Sequence, residues 1–220
     1  MRIFTFLVFL SLLGTGALRA QKLEPAGIDA LLQKLQERQN ATPGVSADFI
    51  EVRKSRVLTE PMTSSGELQF MPPGSFRREI IGARPSTTVS NGRELWIYYP
   101  KFKEAEKYVI GAGLPVDDAV QALLAGMNFE AARKAYNISV EQSDKGYLLE
   151  LQPRTSRLKR MFKTMSLTLD ENLDVVRSEV ELHRGDQVTT TFQNIKRGAI
   201  PAARFDFRPA AGVRTSEPGR

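Results

Sequence analysis

Cysteine is absent from this 220-residue chain, and histidine occurs once, as His183. Without cysteine, the protein can have no disulfide, thiolate-bound zinc, iron–sulfur cluster or cysteine nucleophile. A single histidine also excludes a metal site built from several histidine ligands. We therefore expect neither a bound metal nor a cofactor.

Recognisable catalytic motifs are missing as well. His183 and Asp186 could belong to a Ser–His–Asp site, but no Gly-x-Ser-x-Gly segment accompanies them to hold the nucleophile. No glycine-rich phosphate-binding loop is present. Asp117 and Asp118 are typical of the first turn of a helix rather than of a carboxylate pair. We expect the protein not to be an enzyme; an exported hydrolase that depends on His183 is the less favoured alternative.

The sequence has one extended apolar run, at its N-terminus. Residues 3–13 are interrupted only by Thr5 and Ser11, follow Arg2, and precede small residues at Ala17 and Ala20. The run is too short to span a membrane, and its flanks are typical of a secretory signal peptide. We predict a signal peptide over residues 1–20 and one domain over residues 21–220, soluble after cleavage, in which residues 213–220 are frayed.

The periodicity of apolar residues predicts a mainly β protein with a few helices. Ile28, Leu31, Leu32 and Leu35 have the spacing of one helix face. From residue 45 the period is two, and segments of six to ten residues are separated by turn residues such as Asn91-Gly92. Helical spacing returns between residues 115 and 136, and strand patterning then continues to a last predicted strand over residues 204–207.

Positive charge exceeds negative charge only slightly, with a formal net charge of +6. Five cations lie close together between residues 153 and 165, without interleaved aromatic residues for base stacking beyond Phe162. The segment contains Arg154, Arg157, Lys159, Arg160 and Lys163. We interpret it as a solvated loop, with contact to an anionic headgroup or an acidic protein as the second reading, and we expect no nucleic-acid partner.

Large apolar residues are concentrated in the first six predicted strands. So few helices cannot cover one whole face of such a sheet, so these residues form either an ordinary core or the wall of a hydrophobic cavity. They are Phe49, Leu68, Phe70, Phe76, Ile80, Leu95, Trp96, Ile97, Tyr98, Tyr108 and Ile110.

Several segments in sequence order make the chain similar to a known family. They include Gly66-Glu67-Leu68-Gln69-Phe70, the Asn-Gly-x-x-Leu-Trp-x-Tyr pattern over residues 91–98, and the Phe-x-Phe-x-Pro pattern over residues 205–209. The chain resembles the periplasmic outer-membrane lipoprotein carrier family over nearly all of residues 21–220.

The resemblance implies an incomplete, half-open antiparallel β-barrel of about 11 strands, whose concave side is covered by the N-terminal helix and inserted short helices. It implies a periplasmic monomer that shields lipoprotein acyl chains in a cavity. It also implies two partners, an inner-membrane ABC lipoprotein exporter and an outer-membrane acceptor. The eleven residues above would line the cavity, and Val120, Leu123 and Leu124 would belong to its helical lid.

Two points remain open at the level of sequence. A paralogue that carries or senses other amphiphiles, such as glycolipids, would have the same apolar pattern. Known family members also have a basic residue, which holds the lid, where this chain has Pro72. Proline has no N–H and no charged side chain, so we expect apolar contacts to hold the lid instead.

Overall fold

One open β-sheet dominates the computed structural model, which describes residues 21–111 and 129–218. Within these residues the strands are β1 (Gln21–Lys22), β2 (Val45–Lys54), β3 (Met62–Met71), β4 (Ser75–Ile81), β5 (Ser86–Asn91), β6 (Glu94–Tyr99), β7 (Glu104–Val109), β8 (Tyr136–Ser143), β9 (Gly146–Pro153), β10 (Phe162–Leu169), β11 (Val175–Leu182), β12 (Gln187–Arg197) and β13 (Arg214–Ser216). The helices are α1 (Pro25–Asn40), α2 (Phe129–Ala135), α3 (Ser156–Met161) and a 3₁₀ turn (Ala202–Phe205).

The strand order is β1-β8-β9-β10-β11-β12-β2-β3-β4-β5-β6-β7-β13. All neighbours are antiparallel except β13, which runs parallel to β7. The edge strands β1 and β13 do not pair with each other, so the barrel is open, and the predicted open, mainly β fold is confirmed. The described residues form 13 strands rather than about 11 because the short strands β1 and β13 extend the edges.

The C-terminal region differs from the expectation in two places. The sequence predicts fraying over residues 213–220, but the structure has strand β13 over residues 214–216. The Arg214 N–H donates to Lys103 O at 2.8 Å, and the Arg214 guanidinium pairs with Glu104. The strand predicted over residues 204–207 is also absent; Phe205 is instead buried at the end of the 3₁₀ turn.

The basic segment predicted as a loop contains a short helix, α3. Thr155 lies in extended conformation at its N-cap, and its Oγ1 accepts a hydrogen bond from the Leu158 N–H at 3.2 Å. Leu158 is buried against the sheet, whereas Lys159 and Arg160 are exposed. One apolar anchor and an N-cap therefore suffice to order this highly charged segment.

Two apolar clusters lie on the concave face of the sheet. The larger one joins α1, through Leu31, Leu32 and Leu35, to the inward-facing residues of β8, β9 and β10. The smaller one contains Phe70, Phe76 and Leu95. Strands β11, β12 and β2 run between them, so the concave face has a middle section that no described helix fills.

In the part of the chain that the structure describes, no helix combines the length and apolar character needed to cross a membrane.

Candidate functional site

A cavity of about 640 Å³ occupies the middle section of the concave face. Apolar side chains make up most of its wall, contributed by α1, α2 and strands from β10 through β12 and β2 to β6. They are Leu35, Val45, Ala47, Phe49, Leu68, Phe70, Pro72, Ile97, Phe129, Phe162, Met165, Leu167, Leu173, Val175, Val180, Leu182, Val188, Phe192 and Ile195.

Strand register explains why these side chains converge. Residues opposite each other in neighbouring strands point to the same face, and every second residue along a strand does so as well. Phe192 of β12 lies opposite Phe49 of β2, and Val188 lies opposite Val180 of β11. Lateral pairs of apolar side chains thus extend from one strand to the next on the cavity face, in two separate rows.

Four of the eleven predicted wall residues line this cavity: Phe49, Leu68, Phe70 and Ile97. Five others lie outside its wall. Phe76 and Leu95 are buried with Phe70 in the smaller cluster, and Tyr108 and Ile110 pack against that cluster. Ile80 lies opposite Gly66 in the β3–β4 pairing. These five residues therefore lie on the concave face but beside the cavity rather than in its wall.

The structure contradicts the cavity assignment of Trp96 and Tyr98, which point to the convex face. Their rings contact Phe207, with centroid separations of 5.6 and 5.4 Å. The error has a physical cause, because residues 95–99 are all large and apolar or aromatic and so do not show which alternate set faces inward. Phe207, from a distant part of the chain, packs on the outward-facing rings of Trp96 and Tyr98.

The predicted lid residues Val120, Leu123 and Leu124 lie outside the described residues. Pro72, where known family members have a basic residue, is part of the cavity wall.

The sequence does not reveal the half of the wall that β10, β11 and β12 contribute. Apolar residues such as Met165 and Leu167 alternate with polar ones, but this alternation predicts only a strand and not the cavity that its apolar face lines. The pairing of β12 with β2 places Phe192 opposite the predicted residue Phe49 and brings Val188 and Val180 onto the same cavity face.

An ion pair lies within the apolar wall. The Arg78 Nη2 donates to Glu51 Oε2 at 2.6 Å, and the guanidinium lies 4.4 Å from the centroid of the Phe49 ring. Thr190 Oγ1 donates to the same carboxylate oxygen at 3.4 Å. Burial lowers the pKa of Arg78, against the opposing effect of Glu51, and Arg53 lowers it further. The pair places a compensated charge beside the apolar surface.

A second charged group lies where the end of α1 meets the sheet. Asp174 Oδ1 accepts a hydrogen bond from Arg38 Nη2 of α1 at 3.0 Å and also pairs with Arg197 of β12. All three residues line the cavity. The group therefore lies in the cavity wall and ties the helix to the β10–β11 turn and to β12.

In the described part of the chain, neither His183 nor the acids form a recognisable reaction centre. His183 is exposed in the β11–β12 turn, and Asp186 accepts a hydrogen bond from Ser55 Oγ at 2.7 Å. Among residues 21–111 and 129–218, no group of three histidine, cysteine or acidic residues could hold a metal ion. Burial, followed by a hydrogen bond to Glu106, raises the pKa of Tyr108 to about 12.

Comparison with known proteins gives consistent results over most of the chain. Residues 40–208 match the family model described as outer membrane lipoprotein carrier protein LolA. An outer-membrane lipoprotein carrier protein of Chromobacterium violaceum is 28% identical over 202 residues, which cover 92% of this chain and 94% of that protein. One from Dechloromonas aromatica is 27% identical over 184 residues, covering 83% and 85% of the two chains.

Among solved structures, an uncharacterized conserved protein from Thermus thermophilus has a similar fold. The TM-score is 0.55 at 12% sequence identity, and the match covers 86% of this chain and 99% of that chain. The family match extends from the end of α1 to the residues after the 3₁₀ turn and so includes almost the entire sheet. The chain belongs to the LolA family of outer membrane lipoprotein carrier proteins.

Proposed function

We propose that the protein is a periplasmic carrier that shields lipoprotein acyl chains in the concave cavity and moves them from the inner to the outer membrane. The apolar wall of this cavity is the observation that carries the proposal. Its volume, about 640 Å³, falls within the usual range for ligand cavities. The features of residues 1–20 support export, and family membership supports lipoprotein as the cargo.

Apolar burial supplies the binding energy for such a cargo. Each methylene removed from water contributes about 0.8 kcal/mol, so an acyl chain gains substantially from this wall. A carrier must also release its cargo. The Glu51–Arg78 pair and the Asp174 group interrupt the apolar surface, which keeps affinity below that of a uniformly apolar cavity.

The proposed partners follow from the direction of transport. An inner-membrane ABC exporter would load the cavity, and an outer-membrane acceptor would receive the cargo. Transfer in this direction requires only that the acceptor bind the acyl chains more tightly than the carrier does, because the carrier itself has no energy source in this scheme.

Substitution of Val180 tests the cavity. Val180 lines the cavity on β11, between Met165 of β10 and Val188 of β12. We expect Val180→Glu to weaken binding of a fluorescent triacylated lipopeptide by at least about 30-fold, because the cargo would desolvate an unpaired carboxylate. The measurement is a fluorescence titration at constant pH.

Val52→Glu is the matched control. Val52 is half-buried like Val180 but lies on the convex face, because its neighbours along β2, Glu51 and Arg53, line the cavity. Circular dichroism shows whether each variant is folded. Wild-type affinity in folded Val180→Glu, or an equal loss in Val52→Glu, would contradict cargo binding in this cavity.

Native mass spectrometry of protein taken directly from the periplasm identifies the cargo, and glycolipid in place of lipoprotein would contradict the proposed substrate.

A further inference from the structure

One end of the sheet collects the connections between five neighbouring strand pairs. They join β2 to β3, β4 to β5, β6 to β7, β9 to β10, and β11 to β12. The pairings Arg53–Met62, Ile80–Ser86 and Tyr99–Glu104 adjoin the first three connections. The pairings Phe162–Leu182 and Lys54–Gln187 place the ends of β10, β11, β12 and β2 side by side at the same end. We call this end the cationic rim and define it as residues 53–62, 81–85, 100–103, 154–163 and 183–186.

Direct contacts join the parts of the cationic rim from α3 to the β4–β5 turn. The linking contacts are His183 N to Met161 O at 2.9 Å, Ser55 Oγ to Asp186 Oδ1 at 2.7 Å, and Arg84 Nη1 to Met62 Sδ at 3.7 Å. Arg56 also lies against Gly185. The rim is therefore continuous from α3 to the β4–β5 turn, and the β6–β7 turn at residues 100–103 lies at the same end of the sheet.

Exposed cations dominate this surface. Ten of them have no ion pair within 4.0 Å among the residues that the structure describes: Arg53, Lys54, Arg56, Arg84, Lys101, Lys103, Arg154, Lys159, Arg160 and Arg184. The acids nearby are few: Glu104 pairs with Arg214, Glu181 with Lys163, and Asp186 with Ser55, and Glu60 is exposed within the rim. The rim thus concentrates more positive charge than the +6 of the whole chain.

The same rim carries exposed apolar side chains. Val57 and Phe102 are 89% and 70% exposed, and Leu58 and Ile81 are exposed as well. Only Ile50 and Val109 complete the set of exposed large apolar residues in residues 21–111 and 129–218. Apolar tips among cations are typical of surfaces that meet anionic lipid, where the apolar groups enter the interface and the cations contact headgroups.

The opposite end of the sheet has a different charge pattern. Arg93, Lys145 and Lys196 are exposed there, and the β8–β9 and β10–β11 turns at that end carry Asp144, Asp170, Glu171 and Asp174. The cavity extends to the rim, because Arg53, Phe162 and Leu182 belong to its wall. A membrane bound at the rim would therefore lie beside one end of the cavity.

We infer that the cationic rim docks onto the surface of a membrane containing anionic phospholipid. The inference concerns a surface outside the cavity and does not depend on which cargo the cavity holds. The positive charge attracts the anionic headgroups, and Val57, Leu58 and Phe102 contact the lipid interface. Binding to an acidic protein surface would not require these exposed apolar side chains.

The test is co-sedimentation with lipid vesicles, using protein purified from cells that export it and with its N-terminus sequenced, since residues 3–13 are apolar. We expect binding to phosphatidylglycerol-rich vesicles, little binding to phosphatidylcholine vesicles, and weaker binding at higher salt. The triple variant Lys54→Gln, Arg56→Gln, Arg84→Gln should lower the partition coefficient by on the order of 100-fold, from three headgroup contacts.

The matched control is Arg93→Gln, Lys145→Gln, Lys196→Gln, which removes the same charge at the opposite end and should bind vesicles nearly as well as the wild type. Val57→Ser with Leu58→Ser should weaken vesicle binding but leave binding to soluble polyglutamate unchanged. Acyl-probe binding should be the same in all variants, so failure here is distinguishable from failure of the carrier function. Equal losses in both triple variants, or polyglutamate binding without vesicle binding, would overturn the inference.

Discussion

At the scale of the residue, Gly66 shows how closely the cavity floor is packed. An added Cβ would lie 1.8 Å from Glu79 O of the neighbouring strand and 2.8 Å from Cζ of the Phe49 ring. Phe49 can lie flat against β3, under the Arg78 guanidinium, only because position 66 has no side chain. The glycine is therefore required by a close approach of backbone and ring.

We expect Gly66→Ala to lower the free energy of unfolding by about 1–3 kcal/mol, because β4 or Phe49 must move to admit the methyl group. Urea denaturation measures this loss. Gly198→Ala is the control, since its Cβ would meet no atom within 4 Å, and its stability should be unchanged or slightly higher. Equal free energies of unfolding for Gly66→Ala and Gly198→Ala would contradict the close packing around position 66.

At the scale of the element, α1 is held by an apolar stripe and by one charged group. Leu31, Leu32 and Leu35 pack on the sheet, while Arg38 in the last turn reaches Asp174. The Asp174 side chain is only 17% exposed and serves cations from two different elements. The end of the helix therefore depends on a single carboxylate.

Asp174→Asn should destabilise the fold by about 1–3 kcal/mol, because two charge-assisted hydrogen bonds lose their ionic partner. Hydrogen exchange should become faster in the last turn of α1 while the first turns change little. The control is Asp29→Asn, which removes a mostly exposed pair with Arg133 and should cost about 0.5 kcal/mol or less. A uniform increase in exchange along α1 would contradict a local role.

The strands illustrate what a single sequence can and cannot predict. Where apolar and polar residues alternate, as in β3 and β10, both the strand and its inward face are readable from the sequence. In β6 the apolar run is continuous, and the inward set depends on where Phe207 packs.

The charged groups of the cavity could not be predicted for a related reason. Arg78 and Glu51 are 27 residues apart, and Asp174 lies 136 residues from Arg38. No spacing along the chain signals either contact. Each follows from the order of strands in the sheet, which the local pattern does not predict.

At the scale of the whole molecule, the two sheet edges are its weakest paired elements. β1 pairs over two residues, and β13 pairs over three exposed residues in parallel with β7. Amides at such edges open locally without unfolding the rest of the sheet. The centre of the sheet, by contrast, is bounded on both sides by long antiparallel partners.

We expect amides in β13 to exchange at least about 1000-fold faster than those in the middle of β2, β3 and β10, whose exchange requires global opening. Hydrogen exchange followed by mass spectrometry measures the difference. Protection of β13 equal to that of β3 would show that the C-terminal segment is an integral part of the sheet.

The missing pairing between β1 and β13 also bears on which cargoes the protein can accommodate. In a closed barrel, strand number and stagger fix the circumference, and widening breaks interstrand hydrogen bonds. Among the described strands no such ring of hydrogen bonds exists, so the sheet can flatten or curl while each ladder of interstrand hydrogen bonds stays intact. The width of the cavity is then set by the curvature of the sheet. For the proposed acyl cargo, bending of the sheet would let one chain admit bulkier or slimmer hydrocarbon groups.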